Sequence, residues 1–201
     1  MYHMCKIRKN IAVDLSKEPT LRQKNRFSSS CALSKYNMST PTVLALPYPA
    51  QGHVNPLMTL SQKLVEHGCK VFFVNTDFDH KRVVSSMEEQ QDHSLVESQL
   101  KLVSIPDGLG PDDDRNDLGK LSDSLLNNMP TMLEKLIKDI HLKGDNRISL
   151  IVADLCMGWA LDVGSKLGIK GALLCPSSAA FFALLYNVPR LIDDGIIDSD
   201  G

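Results

Sequence analysis

Long apolar runs are missing from this 201-residue sequence. The longest, Ala179 to Tyr186, covers eight residues, against the roughly 20 that a helix needs to cross a bilayer, so no membrane span is expected. A dominant charge is also lacking: 22 Lys and Arg stand against 24 Asp and Glu, a net charge of -2. That balance does not suit a sequence-independent polyanion binder, and nucleic acid is not an expected partner. Cysteine is sparse and widely spaced. Cys5, Cys31, Cys69, Cys156 and Cys175 form no CxxC, which excludes the common zinc patterns and a dense disulfide framework and fits a reducing compartment. Nucleotide and nucleophile signatures are absent as well, for no GxGxxG, GK[ST] or GxSxG occurs. No segment implies a protein partner.

What is present divides by charge at Met38. Residues 1–37 hold eight Lys or Arg and two acids, a balance of +6, whereas the remainder carries 14 bases and 22 acids, a balance of -8. The first segment has few periodic apolar positions and ends near Ser28-Ser29-Ser30. A disordered basic extension is the expectation for 1–37. It reads either as an organellar transit peptide or as an upstream stretch with Met38 as the natural start. No apolar core of secretory length follows the basic residues, so a cytoplasmic location is expected, with organellar targeting as the alternative.

From Thr42 onward, short β-rich runs alternate with helical stretches, the pattern of a parallel sheet covered on both faces. The predicted strands are Thr42–Leu46, Lys70–Asn75, Leu100–Ile105, Ser149–Ala153 and Gly171–Leu174. Each is short and apolar rather than alternating, as expected of strands buried on both faces. The predicted helices are Val54–His67, Asp79–Glu89, Leu118–Leu142, Gly158–Leu167 and Ser177–Tyr186, with Gly68 and Gly168 as closing residues. Within the third, Leu121, Leu125, Met129, Met132, Leu136 and Ile140 mark a buried stripe, and Pro130 is expected to kink it. The fold class is therefore α/β, a doubly wound, Rossmann-like parallel sheet in the order 3-2-1-4-5. Strands one and four are then neighbours whose connections leave in opposite directions. A crevice opens beyond their carboxyl ends, where an open α/β sheet binds its ligand.

Two residues fall at that crevice. After the first strand comes Pro47-Tyr48-Pro49-Ala50-Gln51-Gly52-His53-Val54-Asn55-Pro56, a proline-paced turn that enters a helix near His53. Gly52 lets a ligand approach the backbone, and a helix start offers N–H groups to a phosphate oxygen. Strand four, Leu150-Ile151-Val152-Ala153, ends in Asp154. An aspartate that accepts from one imidazole nitrogen fixes the tautomer and leaves the other nitrogen as a base. The bland alternatives are that His53 caps or packs and that Asp154 caps the helix after it. With no protein nucleophile in view, a base of this kind serves group transfer onto a bound hydroxyl or amine better than covalent hydrolysis.

The run Val43 to Pro56 resembles the opening of plant UDP-dependent glycosyltransferases of the GT-B fold. Phe73-Val74-Asn75-Thr76, Ile105-Pro106-Asp107-Gly108-Leu109, Val152-Ala153-Asp154 and Leu191-Ile192-Asp193-Asp194-Gly195 extend the resemblance collinearly across about residues 41–201. It implies that residues 38–201 are an incomplete amino-terminal, acceptor-binding Rossmann-like domain, the amino-terminal half of a GT-B fold. It further implies His53 as general base on the acceptor hydroxyl, Asp154 as its partner, and inverting transfer of a hexose, glucose first among them, from UDP to a small apolar plant-type metabolite. Gly52 and Ser177 are the implied donor contacts. Asp107, Gly108, Cys156, Met157, Phe181 and Leu185 are the implied acceptor wall, with core packing as the alternative, above all for Phe181 and Leu185. UDP-sugar is a co-substrate; no cofactor and no metal are expected.

The departures from that family count too. Its tryptophan- and glutamine-bearing box and its His-Cys-Gly-Trp-Asn-Ser run have no counterpart, and the only tryptophan, Trp159, reads as a buried helix residue behind Asp154. With the donor-binding carboxy-terminal domain absent from the sequence, little or no transferase activity is expected of these residues alone. A non-catalytic binding module, a hydrolase using the same pair, and an incomplete gene model are the other readings. Asp112-Asp113-Asp114 with Asp117 reads as a solvated loop rather than a cation site. His67, His80, His93 and His141 read as surface or helix-end residues, and Cys69, Cys156 and Cys175 as small apolar packing residues.

Overall fold

The computed structural model describes residues 40–88, 98–144 and 147–198. The extension 1–37, with Cys5 and Cys31, lies outside the described residues, as do Met38, Glu89 and His93. Residues from Pro41 onward form one unit. Its elements are β1 (Thr42–Leu46), α1 (Gln51–Glu66), β2 (Lys70–Thr76), α2 (Asp77–Glu88), β3 (Leu100–Ile105), α3 (Leu118–Leu142), β4 (Ile148–Asp154), a 3-10 turn (Leu155–Met157), α4 (Trp159–Lys166), β5 (Lys170–Leu174) and α5 (Ala179–Asp193). The five strands are all parallel and ordered β3-β2-β1-β4-β5, the doubly wound order expected from the sequence.

Strand residues alternate between two cores, because successive side chains leave opposite faces. Val43, Ala45, Val71, Phe73 and Val152 turn to one face, where Leu57 and Val65 of α1 cover them. Leu44, Leu46, Phe72, Val74, Ile151 and Ala153 turn to the other, under α3 and α4. β1 is buried along its whole length, so its continuous apolar run needs no polar face. Each fully buried Leu or Ile of this kind contributes about 1.5–3 kcal/mol by leaving water.

Helix boundaries move from the sequence expectation where a local bond is stronger than the apolar pattern. α1 starts three residues earlier than predicted because His53 N–H and Val54 N–H both bond Ala50 C=O, at 2.8 and 2.9 Å. His53 therefore sits inside the first turn, and Gln51 and Gly52 carry the unpaired N–H groups of the helix start. α2 begins at Asp77 because Thr76 Oγ1 accepts the Asp79 N–H at 3.2 Å, a side-chain cap. α5 continues to Asp193, past the predicted end at Tyr186 and through Pro189. α1 and α4 are followed by Gly68 (φ 83°) and Gly168 (φ 70°), the left-handed residues that close helices.

α3 corrects the predicted stripe. Its buried residues are Leu121, Leu125, Met129, Leu133, Ile137 and Ile140, whereas Met132 is exposed and Leu136 only partly buried. Consecutive steps of four turn about 40° around the axis, so the stripe follows the inclined ridge that packs on a twisted sheet rather than a straight line. The helix is assigned without interruption through Pro130.

The end of α3 is tied to the start of β4 by Ile148 N–H, which donates to His141 Nε2 at 3.1 Å. Burial, and secondarily the charge of Arg147, hold the His141 pKa below its ordinary value of 6.5. The folded state thus binds this proton more weakly than the unfolded chain, so the contribution is present above pH 6.5 and lost as pH falls below it. The urea midpoint is expected to fall more steeply on acidification below pH 6.5 than it does in His141→Gln. Equal pH dependence of the two proteins would contradict this assignment.

Candidate active site

Parallel pairing of β1 with β4 sets Leu46 beside Ala153, so the two strands end level and deliver the next residues to the same rim. Asp154, the last residue of β4, is fully buried. Its two oxygens do different work. Oδ2 accepts from His53 Nδ1 at 2.8 Å, and Oδ1 accepts the Cys156 N–H at 2.8 Å, capping the 3-10 turn. The capping and orienting alternatives for Asp154 therefore coexist, one on each oxygen. A bond from Nδ1 to a carboxylate leaves Nε2 as the imidazole's free nitrogen. No hydrogen bond to that Nε2 is present among the described residues.

The His53 side chain is 31% exposed, against 0% for Asp154, the combination a proton acceptor needs: one wet edge and one fixed edge. Tyr48 steadies the ring, its own ring 5.3 Å away at a tilt of 56°. Tyr48 is itself buried, with its hydroxyl 3.1 Å from Ser122 Oγ on α3. Sequence reasoning gave Tyr48 no part, although its place five residues before His53 in the proline-paced turn was the available signal.

The remaining residues singled out from sequence differ in their exposure. Gly52 is exposed, and a Cβ there would meet nothing within 4 Å. Ser177 is exposed, next to Ser178, whose Oγ accepts from Phe181 N–H to cap α5. Met157 is buried in the core at 1% exposure. Cys156 is exposed rather than packed, which corrects its reading as a small apolar core residue: the 3-10 turn swings it outward after the strand. Its sulfur is nonetheless desolvated, and this, with the Asp154 carboxylate, pushes the thiol up to about 11. Cys69 and Cys175 are half-buried, and so is Trp159, at the margin of the α3 and α4 core. Phe181 is 48% exposed and Leu185 half-buried, and no residue of α5 is buried. Core packing therefore does not account for them among the described residues.

Asp107 is buried and held in a loop clamp. Its carboxylate accepts from Leu109 N–H at 2.9 Å and from Arg115 Nε at 2.8 Å, while the Arg115 guanidinium lies 4.1 Å over the Phe78 ring. The carboxylate partner raises the Arg115 pKa further above its ordinary range. Gly108 follows at φ 85°, and a Cβ there would fall 2.3 Å from the Asn128 side chain. Arg115 was missed in the sequence; a lone base closing the Asp112-Asp113-Asp114 run was the signal for it. A cavity of about 450 Å³ lies between α1 and α2, lined by Pro49, Gln51, Asn55, Met58, Asp79 and Arg82 among others. A smaller one of about 120 Å³ includes Asp107 and Arg115. Both share Pro49, and neither is lined by His53 or Asp154. The dyad lies on an open rim beside them.

A doubly wound sheet with a histidine–aspartate pair at its switch point defines a class of α/β ligand-binding and group-transfer domains. The comparisons narrow it. Residues 40–184 match the family described as Glycosyltransferase, N-terminal domain. UDP-glycosyltransferase 83A1 of Arabidopsis thaliana is 44% identical over 171 residues, which is 84% of this chain and 37% of that protein. The 7-deoxyloganetin glucosyltransferase of Gardenia jasminoides is 32% identical over 158 residues, 76% of this chain and 32% of that protein. The fold resembles crystal structures of Os79 from O. sativa with U2F and trichothecene (TM-score 0.58, 23% identity, 77% of this chain and 37% of that one) and of Arabidopsis thaliana UGT89C1 with quercetin (0.57, 16%, 72% and 37%). This chain belongs to the plant UDP-glycosyltransferases and corresponds to the amino-terminal part of their GT-B fold. It spans about a third of the length of these relatives.

Because Asp107 is 6% and Arg115 14% exposed at their side chains, removing one partner strands a buried charge. Arg115→Ala is expected to cost roughly 3 kcal/mol in chemical denaturation. A cost within the scatter of ordinary surface substitutions would show that the clamp is solvated.

Proposed function

We propose that this chain supplies the acceptor side of an inverting UDP-glycosyltransferase that moves a hexose, glucose first among the candidates, to a hydroxyl of a small apolar metabolite. The observation that carries the reading is the 2.8 Å bond from His53 Nδ1 to the buried Asp154 carboxylate. His53 Nε2 takes the proton of the acceptor hydroxyl as that oxygen attacks the anomeric carbon and the bond to UDP breaks on the opposite face. Asp154 holds the tautomer and stabilises the imidazolium that forms. The acceptor oxygen bonds one face of the anomeric carbon while UDP leaves from the other, so direct displacement inverts that centre.

Gly52 and the N–H groups at the start of α1 suit the donor phosphates, with Ser177 nearby as a second donor contact. Asp107 and Gly108 shape the acceptor wall through the loop they lock, and Cys156, Phe181 and Leu185 form its other parts, whereas Met157, buried in the core, takes the core-packing alternative and supports the wall from behind. The glucosyltransferase relative named for 7-deoxyloganetin and the neighbour crystallised with quercetin support a small, largely apolar acceptor. UDP-sugar is the co-substrate and no metal takes part in the transfer. The dyad lies on an open rim, and a donor must be gripped from both sides. These 201 residues alone are therefore expected to bind an acceptor while turning over little UDP-sugar. Cytoplasmic location is part of the same proposal, with organellar targeting through residues 1–37 as the alternative.

The test joins this chain to the remaining carboxy-terminal part of the 83A1 relative and assays UDP-glucose with phenolic and terpenoid alcohols. His53→Ala in that chimaera is expected to lower kcat by about 10²–10⁴ with KM little changed, and Asp154→Asn to act in the same direction. A His53→Ala chimaera as active as its parent, or substantial turnover by the 201-residue chain alone, would overturn the reading.

A further inference from the structure

The geometry points to a second use of the dyad: His53 Nδ1, a carboxylate oxygen of Asp154 and Cys156 Sγ form a three-ligand site for a zinc-class divalent cation that silences His53 as a base. One ligand atom from each of these three residues lies within 4.8 Å of the others, and His53 Nδ1 is the nitrogen that faces the carboxylate, 2.8 Å from Oδ2. They come from three elements, His53 from α1, Asp154 from the end of β4 and Cys156 from the 3-10 turn after it, and His53 lies about a hundred residues from the other two, which explains why no metal-ligand spacing is visible in the sequence. Imidazole, carboxylate and thiolate are the donor types zinc takes, and three protein ligands plus one open position is a common zinc arrangement.

The charges and distances suit the ion. One carboxylate and one thiolate neutralise a divalent cation, and the imidazole binds as a neutral ligand. With bonds of about 2.0–2.3 Å in tetrahedral array, ligand atoms stand about 3.3–3.8 Å apart. The 2.8 Å separation of Nδ1 and Oδ2 therefore has to open by about half an ångström, which a ring with one exposed edge, resting against the Tyr48 ring, can do. Asp154 Oδ1 keeps the Cys156 N–H throughout, so the turn that presents the sulfur persists. Cys156 is exposed, and the ion reaches the site from solvent.

Proton bookkeeping gives the consequence. The ion takes the Nδ1 lone pair, so the ring's single proton moves to Nε2, and the thiol proton leaves to solvent. Nε2 then carries a hydrogen where the transfer reaction needs a lone pair. Binding itself does not depend on the proposed reaction; only the silencing rests on His53 being the base.

Titration of the 201-residue chain with Co²⁺ tests the site through the thiolate-to-cobalt absorption. One equivalent is expected to raise the band and Zn²⁺ to bleach it. Cys156→Ser and His53→Ala should each weaken binding at least about tenfold, while Cys69→Ser, at the opposite end of the sheet, should not. In the unsubstituted chain, Zn²⁺ is expected to slow alkylation of Cys156 by iodoacetamide, read by peptide mass spectrometry. An unchanged cobalt band in Cys156→Ser, or no protection of Cys156 by Zn²⁺, overturns the site. Zn²⁺ binding with full activity of the chimaera overturns the silencing and leaves the base assignment to be judged on the His53→Ala result.

Discussion

A carboxylate with no solvent of its own anchors the switch-point geometry of this structure. Asp154 is fully buried at the end of β4, beside the central strand β1, and burial of an ionised group is tolerable only when its lone pairs are met. Two are met here, by the His53 ring and by the Cys156 amide. Each bond fixes a different piece of the rim, one the imidazole of α1 and the other the turn that leads into α4. β1 and β4 end level because they pair in register through Leu46 and Ala153, and that register depends in turn on the two apolar layers that α1 and α3 press onto the sheet.

The loop after β3 solves a similar problem differently. Asp107 is nearly as buried as Asp154 but is met by a full cation, Arg115, whose flat face also lies on Phe78. A charge matched by a charge makes a rigid wall, whereas a charge matched by a neutral imidazole makes a group that can accept a proton. The two aspartates, both at strand ends on the same rim, show how partner choice separates support from chemistry. α5 contrasts with both, since its apolar residues Phe181, Phe182, Leu184 and Tyr186 stand exposed among the described residues.

Much of this could be read from the residues because strand order follows from connection rules. Five apolar runs separated by helical stretches leave few orders, and the one adopted puts β1 beside β4, so His53 and Asp154 could be paired before any coordinates existed. Three things could not be read. The stripe on α3 depends on how a long helix lies across a twisted sheet, so Leu133 and Ile137 replaced Met132 and Leu136. The exposure of Cys156 depends on a single 3-10 turn that periodicity does not encode. The Asp107–Arg115 clamp joins residues eight apart in a loop without period, where only the geometry of the folded loop selects one carboxylate among several.

The central claim is that the buried carboxylate fixes the tautomer of His53, and nitrogen-15 NMR of that imidazole, at a pH where the ring is neutral, tests it most directly. The account predicts a proton on Nδ1 and a bare Nε2, with the preference weakened or reversed in Asp154→Asn. A proton found on Nε2 in the unsubstituted chain would contradict it, because the nitrogen facing solvent would then have nothing with which to accept a proton.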